Sequence, residues 1–144
     1  MKSGGSRNSI RGHKVEDKII TKYGAIRPDS DEKRYDMEYL DNLVEIKSCE
    51  SWHSTPVKGI SRCGPARISI EAEAHEDLKK LADEIGKKAI YVFVKIPRSK
   101  DGRISMKPNN WTEAWMTWEN VNFLIKSRKR FARNRYHLED RTRY

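Results

Sequence analysis

The chain has little cysteine, no long apolar run and fewer acidic than basic residues. Its 144 residues include two cysteines, too few for a disulfide framework, so a reducing compartment is expected. No stretch approaches the roughly 18 apolar residues that cross a bilayer, and the N-terminus lacks the apolar segment of a secretory signal. These absences predict a protein without membrane segments that acts in the cytoplasm, whether nucleoid-associated or encoded by a virus or mobile element.

The charge balance is strongly basic. Lys and Arg number 30 against 21 Asp and Glu, which gives a net charge of +9. A charge of this sign and size favours a polyanionic partner, with nucleic acid ahead of an anionic membrane surface. A chain of this length is expected to form one domain around one core. We expect a flexible tail at 1–9, a folded domain at 10–125 and a basic extension at 126–144.

Apolar periodicity predicts helices and strands that alternate along the chain. Helices are expected at 10–23, at 71–85 and after Asn110; strands are expected in a hairpin at 35–47, at 68–70, at 89–96 and at 103–106, with a loop at 50–66. On the last helix, Trp111, Trp115 and Trp118 would share one face. Helices that interleave with strands in this order predict an α/β fold, with a mixed central β-sheet flanked by helices.

The hairpin is the most informative part of the sequence. Its two strands would be joined by an Asp41–Asn42 turn, because this dipeptide tolerates the positive φ angles of tight hairpins. Such a turn pairs Leu40 with Leu43, Glu38 with Glu45 and Asp36 with Lys47. The four charged side chains would then emerge from one face of the hairpin and the apolar ones from the other. Two carboxylates that lie opposite each other repel, and a divalent cation between them would remove the repulsion.

The same residues resemble a known family. An acid on one strand and Glu-x-Lys on the next, here Asp36 and Glu45-Ile46-Lys47, are similar to the signature of the PD-(D/E)XK nuclease superfamily. Within it the archaeal Holliday junction resolvases look nearest. They begin with a helix carrying Gly-x-x-x-Glu, as at Gly12 to Glu16, and continue with a strand, a helix ending in glycine and an apolar strand, as at 68–96. The likeness covers residues 10–106. It departs where the resolvases carry basic residues early in the second helix, since this chain has Ala72, Glu73 and Ala74.

The resemblance implies a Mg²⁺-dependent DNA endonuclease, with Mn²⁺ able to substitute, that cuts branched DNA as a homodimer; 10–125 would be the nuclease domain. Asp36, Glu45 and the backbone carbonyl of Ile46 would hold the metal. Lys47 would orient the attacking water or stabilise charge on phosphorus, and Glu16 would help to hold a metal-bound water. Basic side chains expected to contact DNA are Arg11, Lys14, Lys58, Arg62, Arg67, Arg128, Lys129 and Arg130.

Alternatives stay open on substrate and activity. The chain could be a restriction, repair or mobile-element endonuclease that cuts duplex, nicked or flapped DNA, or a DNA-binding module without catalysis. The charged hairpin face could also be a solvated surface with a cross-strand ion pair. Glu38 is either a further metal ligand or, if the pairing slips by one residue, a side chain that points to solvent, and the second interpretation is favoured.

Two further features have competing interpretations. Cys49, His53 and Cys63 are metal-binding residue types, but a clear fourth zinc ligand is missing, so ordinary loop residues are favoured. The tryptophans of the last predicted helix could stack on unpaired bases. A stripe at helical spacing is more often buried against a sheet or a partner subunit, and burial is favoured here.

Overall fold

The structure is a computed structural model that describes the backbone of residues 7–50, 52–57, 60–65, 67–98, 103–128, 131–132 and 135–139, and the side chains of 10–50, 68–98, 103–127 and 138. The helices are α1 (Arg7–Tyr23), α2 (Ala72–Ile85) and α3 (Trp118–Arg128). The strands are β1 (Met37–Tyr39), β2 (Asn42–Glu50), β3 (Trp52–Val57), β4 (Ile60–Pro65), β5 (Arg67–Glu71), β6 (Lys88–Ile96), β7 (Thr112–Thr117), β8 (Phe131–Ala132) and β9 (Arg135–Glu139).

The centre of the molecule is a four-stranded mixed sheet in the order β1-β2-β6-β7. β6 runs parallel to β2 and antiparallel to β7, while β1 and β2 form an antiparallel hairpin. Helix α1 packs on one face through Val15 and Ile19, and α2 and α3 pack on the other through Leu78 and Val121. The predicted α/β fold with a mixed, helix-flanked sheet is therefore confirmed. β6 is an apolar run because both of its faces are covered.

The first two helices and the central strand lie close to their predicted positions. α1 begins at Arg7, three residues before its expected start, and α2 ends at Gly86, whose φ of 72° is a left-handed conformation that glycine adopts readily. The buried stripe of α2 consists of His75, Leu78, Leu81 and Ala82, while Ala74 is exposed. The polar histidine is accommodated because its ring nitrogens have hydrogen-bond partners, as described below.

The segment from 50 to 66 is not the loop that its prolines and glycines predicted. In the described part of that segment, β3 and β4 pair as an antiparallel hairpin, with Trp52 opposite Pro65 and Val57 opposite Ile60. Next along the chain, β5 pairs with β9, and β8 completes a three-stranded sheet in the order β5-β9-β8. Part of the predicted basic extension thus folds back on β5. The division into tail, domain and extension stays a prediction, since residues 1–6, 129–130, 133–134 and 140–144 lie outside the description.

The tryptophan-rich segment is the largest error of the sequence prediction. Pro108–Asn110 forms a single helical turn, Trp111 follows it, and the next six residues form edge strand β7 rather than a capped helix. Residues 103–106, predicted as the edge strand, contribute only an isolated bridge from Ile104 to Arg98. Residues spaced by four share a face in a strand as well as in a helix, so tryptophan spacing could not separate the two. The favoured burial of the tryptophans is confirmed for Trp111 and Trp118 but is wrong for Trp115, which is exposed on the edge strand.

A carboxylate on β7 ties the edge of the sheet to α1. Glu113 accepts hydrogen bonds from the ammonium group of Lys22 at 2.6 Å, from the hydroxyl of Tyr23 and from the indole N–H of Trp115 at 3.0 Å. Burial opposes ionisation of Glu113, but these three donors outweigh it and lower the pKa of the carboxyl group.

Within the described ranges, every helix is too short or too polar to cross a membrane.

Candidate active site

The β1–β2 hairpin turns one residue earlier than predicted. Met37 lies opposite Val44 and Tyr39 opposite Asn42, so the turn consists of Leu40 and Asp41, which have φ angles of 50° and 64°. Two successive left-handed residues match the twist of a tight hairpin. The side-chain amide of Asn42 donates to the carbonyl of Tyr39 at 3.1 Å, which stabilises this arrangement. Each residue of β1 therefore faces a partner two positions earlier on β2 than the predicted register required.

This register removes the predicted pairing of Glu38 with Glu45 and places Asp36 next to Glu45 instead. Glu38 lies opposite Leu43, not Glu45, and forms an ion pair with Lys87. Asp36, which precedes β1, donates its backbone N–H to the carbonyl of Val44 at 2.9 Å and accepts a 2.7 Å hydrogen bond from Ile46 N–H at Oδ2. The carboxyl groups of Asp36 and Glu45 come within hydrogen-bonding reach of each other. Glu38 was expected to point to solvent if the pairing slipped, but it pairs with Lys87 instead, and its role stays a prediction.

Lys47 supplies the positive charge next to the two acids. Its Nζ lies 3.3 Å from Oε2 of Glu45, with exposed side-chain fractions of 26% for the lysine and 20% for the glutamate. Both residues point to the same face because they are two positions apart on β2. Glu16 approaches from α1, and the charges of Asp36 and Lys47 affect the pKa of its carboxyl group. Asp36, Glu45 and Lys47 thus lie together at the hairpin, and Glu16 lies within electrostatic range of them.

The acids of this cluster resist ionisation. Burial raises the pKa of Glu45, and the neighbouring charge of Asp36 raises it further, against the pull of Lys47. Burial also raises the pKa of Asp36, although the Ile46 N–H and Lys47 favour its charged form. Burial and the charge of Asp36 raise the pKa of Glu16 to about 7. Three acids with one lysine make a partly buried cluster in which potential negative charges outnumber positive ones.

A divalent cation fits this deficit. In the described part of the chain, no three Asp, Glu, His or Cys side chains lie close enough together to enclose a metal by themselves. Mg²⁺ commonly needs only one or two carboxylates and keeps several waters. Asp36 and Glu45 supply such a pair. Because the N–H and C=O of a strand residue point to the same side, the carbonyl of Ile46 is directed toward the Asp36 side as well. The donor set is therefore that of a hard cation.

Sequence reasoning missed the aromatic side chains behind the site. In the parallel pairing of β2 with β6, Tyr91 is the partner of Glu45 and Phe93 the partner of Lys47. The two rings stack with centroids 5.5 Å apart. They lower the local polarity and so contribute to the burial that disfavours charged carboxylates. The apolar run of β6 was recognised from the sequence, but its register against β2 had no local signal.

The predicted DNA contacts are only partly described. Lys14 is exposed on α1. The guanidinium of Arg11 instead donates to Oε2 of Glu50 at 3.2 Å and to the carbonyl of Ser48 at 3.4 Å, which connects α1 to the end of β2. The other predicted contacts are described only as backbone or lie outside the described residues, namely Arg62, Arg67 and Arg128 in the first group and Lys58, Lys129 and Arg130 in the second. Their contacts with DNA stay predictions.

The zinc alternative gains no support. Cys49 is buried, and the side chains of His53 and Cys63 lie outside the described residues. His75, the other histidine that could serve as a ligand in principle, has its ring nitrogens hydrogen bonded to Tyr91 and Asn122.

Comparison with known proteins identifies the family to which the chain belongs. A family model described as a PD-(D/E)XK nuclease superfamily domain matches residues 2–136. Searches of curated proteins and of solved structures found no significant match. The match spans the hairpin, the helices on both faces of the sheet and β6. The chain therefore belongs to the PD-(D/E)XK nuclease superfamily, and its fold is that of a nuclease domain.

Proposed function

We propose that this protein is a Mg²⁺-dependent DNA endonuclease whose active site consists of Asp36, Glu45, Lys47 and Glu16. Nucleases of this superfamily generally use divalent metal ions. The observation that carries the proposal is the cluster itself, in which Asp36 and Glu45, two acids with raised pKa values, lie next to Lys47. Such a cluster destabilises the folded state unless a bound cation or substrate compensates the charge of the acids.

Each residue has a distinct role in this proposal. Asp36, Glu45 and the carbonyl of Ile46 would hold Mg²⁺, which supplies a Lewis acid and lowers the pKa of bound water. The ammonium group of Lys47, 3.3 Å from Glu45, would donate to a non-bridging phosphate oxygen and stabilise the charge that develops there. Glu16 would accept a hydrogen bond from the attacking water and orient it. The products would carry a 5′-phosphate and a 3′-hydroxyl.

The substrate we propose is branched DNA, cut by a homodimer in the cytoplasm. Support comes from the Gly12 to Glu16 segment on α1, which resembles the first helix of the archaeal resolvases. A four-way junction presents two equivalent strands, and a two-fold dimer would place one site on each. The net charge of +9 favours binding of such a polyanion.

The test compares a synthetic four-way junction with linear duplexes made from the same arms, in Mg²⁺, in Mn²⁺ and in chelator. We expect cleavage in both metals, none in chelator, and at least about tenfold faster cutting of the junction. Equal rates on junction and duplex would exclude the resolvase assignment and leave a restriction, repair or mobile-element nuclease. Tight binding without cleavage of any DNA form in either metal would favour the non-catalytic module.

Replacement of Glu38 by glutamine should leave the cleavage rate within about twofold of the wild type, because the Glu38–Lys87 ion pair does not include Asp36, Glu45 or Lys47 and its loss costs little. Glu38 faces Lys87 rather than the Asp36–Glu45 pair. The measurement is the initial rate at saturating Mg²⁺, with Glu45→Gln as the inactive comparison. A loss of activity in Glu38→Gln as large as that in Glu45→Gln would place Glu38 among the metal ligands.

A further inference from the structure

A buried chain of hydrogen bonds lies directly behind Glu45 and has no part in the chemistry described above. Tyr91, the neighbour of Glu45 on β6, is 1% exposed, and its hydroxyl lies 2.7 Å from Nδ1 of His75 on α2. Nε2 of His75 lies 3.1 Å from Oδ1 of Asn122 on α3. Three elements therefore meet in one polar network inside an otherwise apolar cluster.

The network has a defined direction. Oδ1 of Asn122 can only accept, so Nε2 of His75 carries the ring hydrogen and Nδ1 is left as an acceptor. The hydroxyl of Tyr91 consequently donates to His75. Burial lowers the pKa of His75, which keeps the ring neutral and able to accept.

Helix α3 holds the histidine in place. The indole of Trp118 stacks on the His75 ring with centroids 4.3 Å apart and an interplanar angle of 12°. The same indole N–H donates to the backbone carbonyl of His75 at 2.7 Å. Apolar side chains in place of Tyr91, His75 and Asn122 together would fill this space without buried polar groups, so the polar network calls for a functional explanation.

The carboxylate of Glu45 is the acceptor to which we expect the Tyr91 hydroxyl to turn if His75 is lost. Glu45 is its partner in the β2–β6 register, and its charge acts on the phenol group. A buried hydroxyl that lost His75 would need another acceptor. If it donated to Glu45, it would occupy a carboxylate oxygen that the cation needs.

We propose that His75, oriented by Asn122, keeps the Tyr91 hydroxyl turned away from Glu45, so that the carboxylate remains free to bind the metal. His75 and Asn122 are thus positioning residues that act through Tyr91. This inference rests on the proposed function, because it assumes that Glu45 is a metal ligand.

The experiment measures Mn²⁺ affinity by its effect on thermal unfolding, and cleavage as a function of Mn²⁺ concentration, in His75→Leu, Tyr91→Phe and the double variant. His75→Leu should weaken Mn²⁺ binding about tenfold, as loss of an outer partner of a metal ligand commonly does. Tyr91→Phe added to His75→Leu should restore the affinity to within about threefold, because the competing hydroxyl is gone. General damage to packing would not be repaired by a second change in the core.

Two controls separate the possible causes. Leu81→Ala, in the same apolar cluster, should lower stability without changing Mn²⁺ affinity. If His75→Leu does not fold, Asn122→Ala replaces it, since Asn122 is half-buried; it should weaken Mn²⁺ binding by about threefold, again with recovery on adding Tyr91→Phe.

Unchanged Mn²⁺ affinity in the folded single variant, or a loss that Tyr91→Phe does not repair, would overturn the network proposal. Glu45→Gln distinguishes this failure from failure of the proposed function. If Glu45→Gln loses Mn²⁺ binding while His75→Leu retains it, the nuclease proposal stands and the network proposal is wrong. If Glu45→Gln binds Mn²⁺ normally, both are wrong.

Discussion

Replacement of Lys47 by alanine is expected to reduce the DNA cleavage rate by about 10²–10³-fold at saturating Mg²⁺, with little change in DNA binding. Lys47 carries the positive charge beside Glu45, and a donor that stabilises charge mainly in the transition state affects turnover more than affinity. Lys47→Arg should recover only part of the rate, because the planar guanidinium presents its donors differently from a compact ammonium.

The matched control is Lys88→Ala. Lys88 is an exposed lysine at the start of β6, and its removal changes the net charge by the same amount. Single-turnover rates with excess enzyme, together with binding measured in Ca²⁺ or chelator, separate chemistry from affinity. Equal losses in Lys47→Ala and Lys88→Ala would show that the effect is one of overall charge and that Lys47 has no special role.

Glu45→Gln is expected to stabilise the metal-free protein while abolishing cleavage. The folded state raises the pKa of Glu45, so the carboxyl group favours folding only while it is protonated. As pH rises above the ordinary value of about 4.5, the unfolded chain ionises first and stability falls until the folded group has also ionised. Glu16 acts in the same direction, with its window between the model-peptide value of 4.5 and about 7.

At pH 8 and without metal, Glu45→Gln should therefore raise the melting temperature by about 3–6 °C, which corresponds to about 1–2 kcal/mol for a chain of this size. Wild-type stability should fall between pH 5 and pH 8, and the variant should show a smaller fall. Added Mg²⁺ should stabilise the wild type at pH 8 and have little effect on Glu45→Gln. Thermal unfolding at several pH values, with and without Mg²⁺, measures all three effects.

Glu113→Gln provides a control of opposite sign. Glu113 is also largely buried, but three donors favour its charged form. Its replacement should lower the melting temperature at pH 8 with or without metal. Stabilisation by both substitutions, or by neither, would show that the surrounding donors do not distinguish the two glutamates and would count against the proposed charge deficit at Glu45.

The local pattern of the hairpin was sufficient to assign its faces. Side chains alternate along any strand, so the sequence places Glu45 and Lys47 on one face and Val44 and Ile46 on the other, and the structure agrees. The pairing was not predictable in the same way. Shifting the turn by one residue keeps both faces intact but exchanges Glu38 for Asp36 as the neighbour of Glu45, and only the turn geometry decides between them.

The errors elsewhere have similar causes. Tryptophans four residues apart satisfy both helix and strand patterns, and pairing with β6 selected the strand for Trp115. Prolines and glycines at 50–66 predicted a loop, but Trp52 to Val57 and Ile60 to Pro65 pair as strands. In both segments the competing structures differ in long-range contacts, which a local pattern does not contain.

For this chain, the sequence by itself determined the class of fold, the family resemblance and the residue types of the site, because alternation, helical periodicity and the spacing of Asp36 from Glu45-Ile46-Lys47 are local properties. The tertiary structure alone decided which acids are neighbours. It also brought Glu16 from α1 and Tyr91 from β6 beside the pair. These contacts join residues far apart in the chain and exist only once both faces of the sheet are covered, which is also what buries the acids and raises their pKa values.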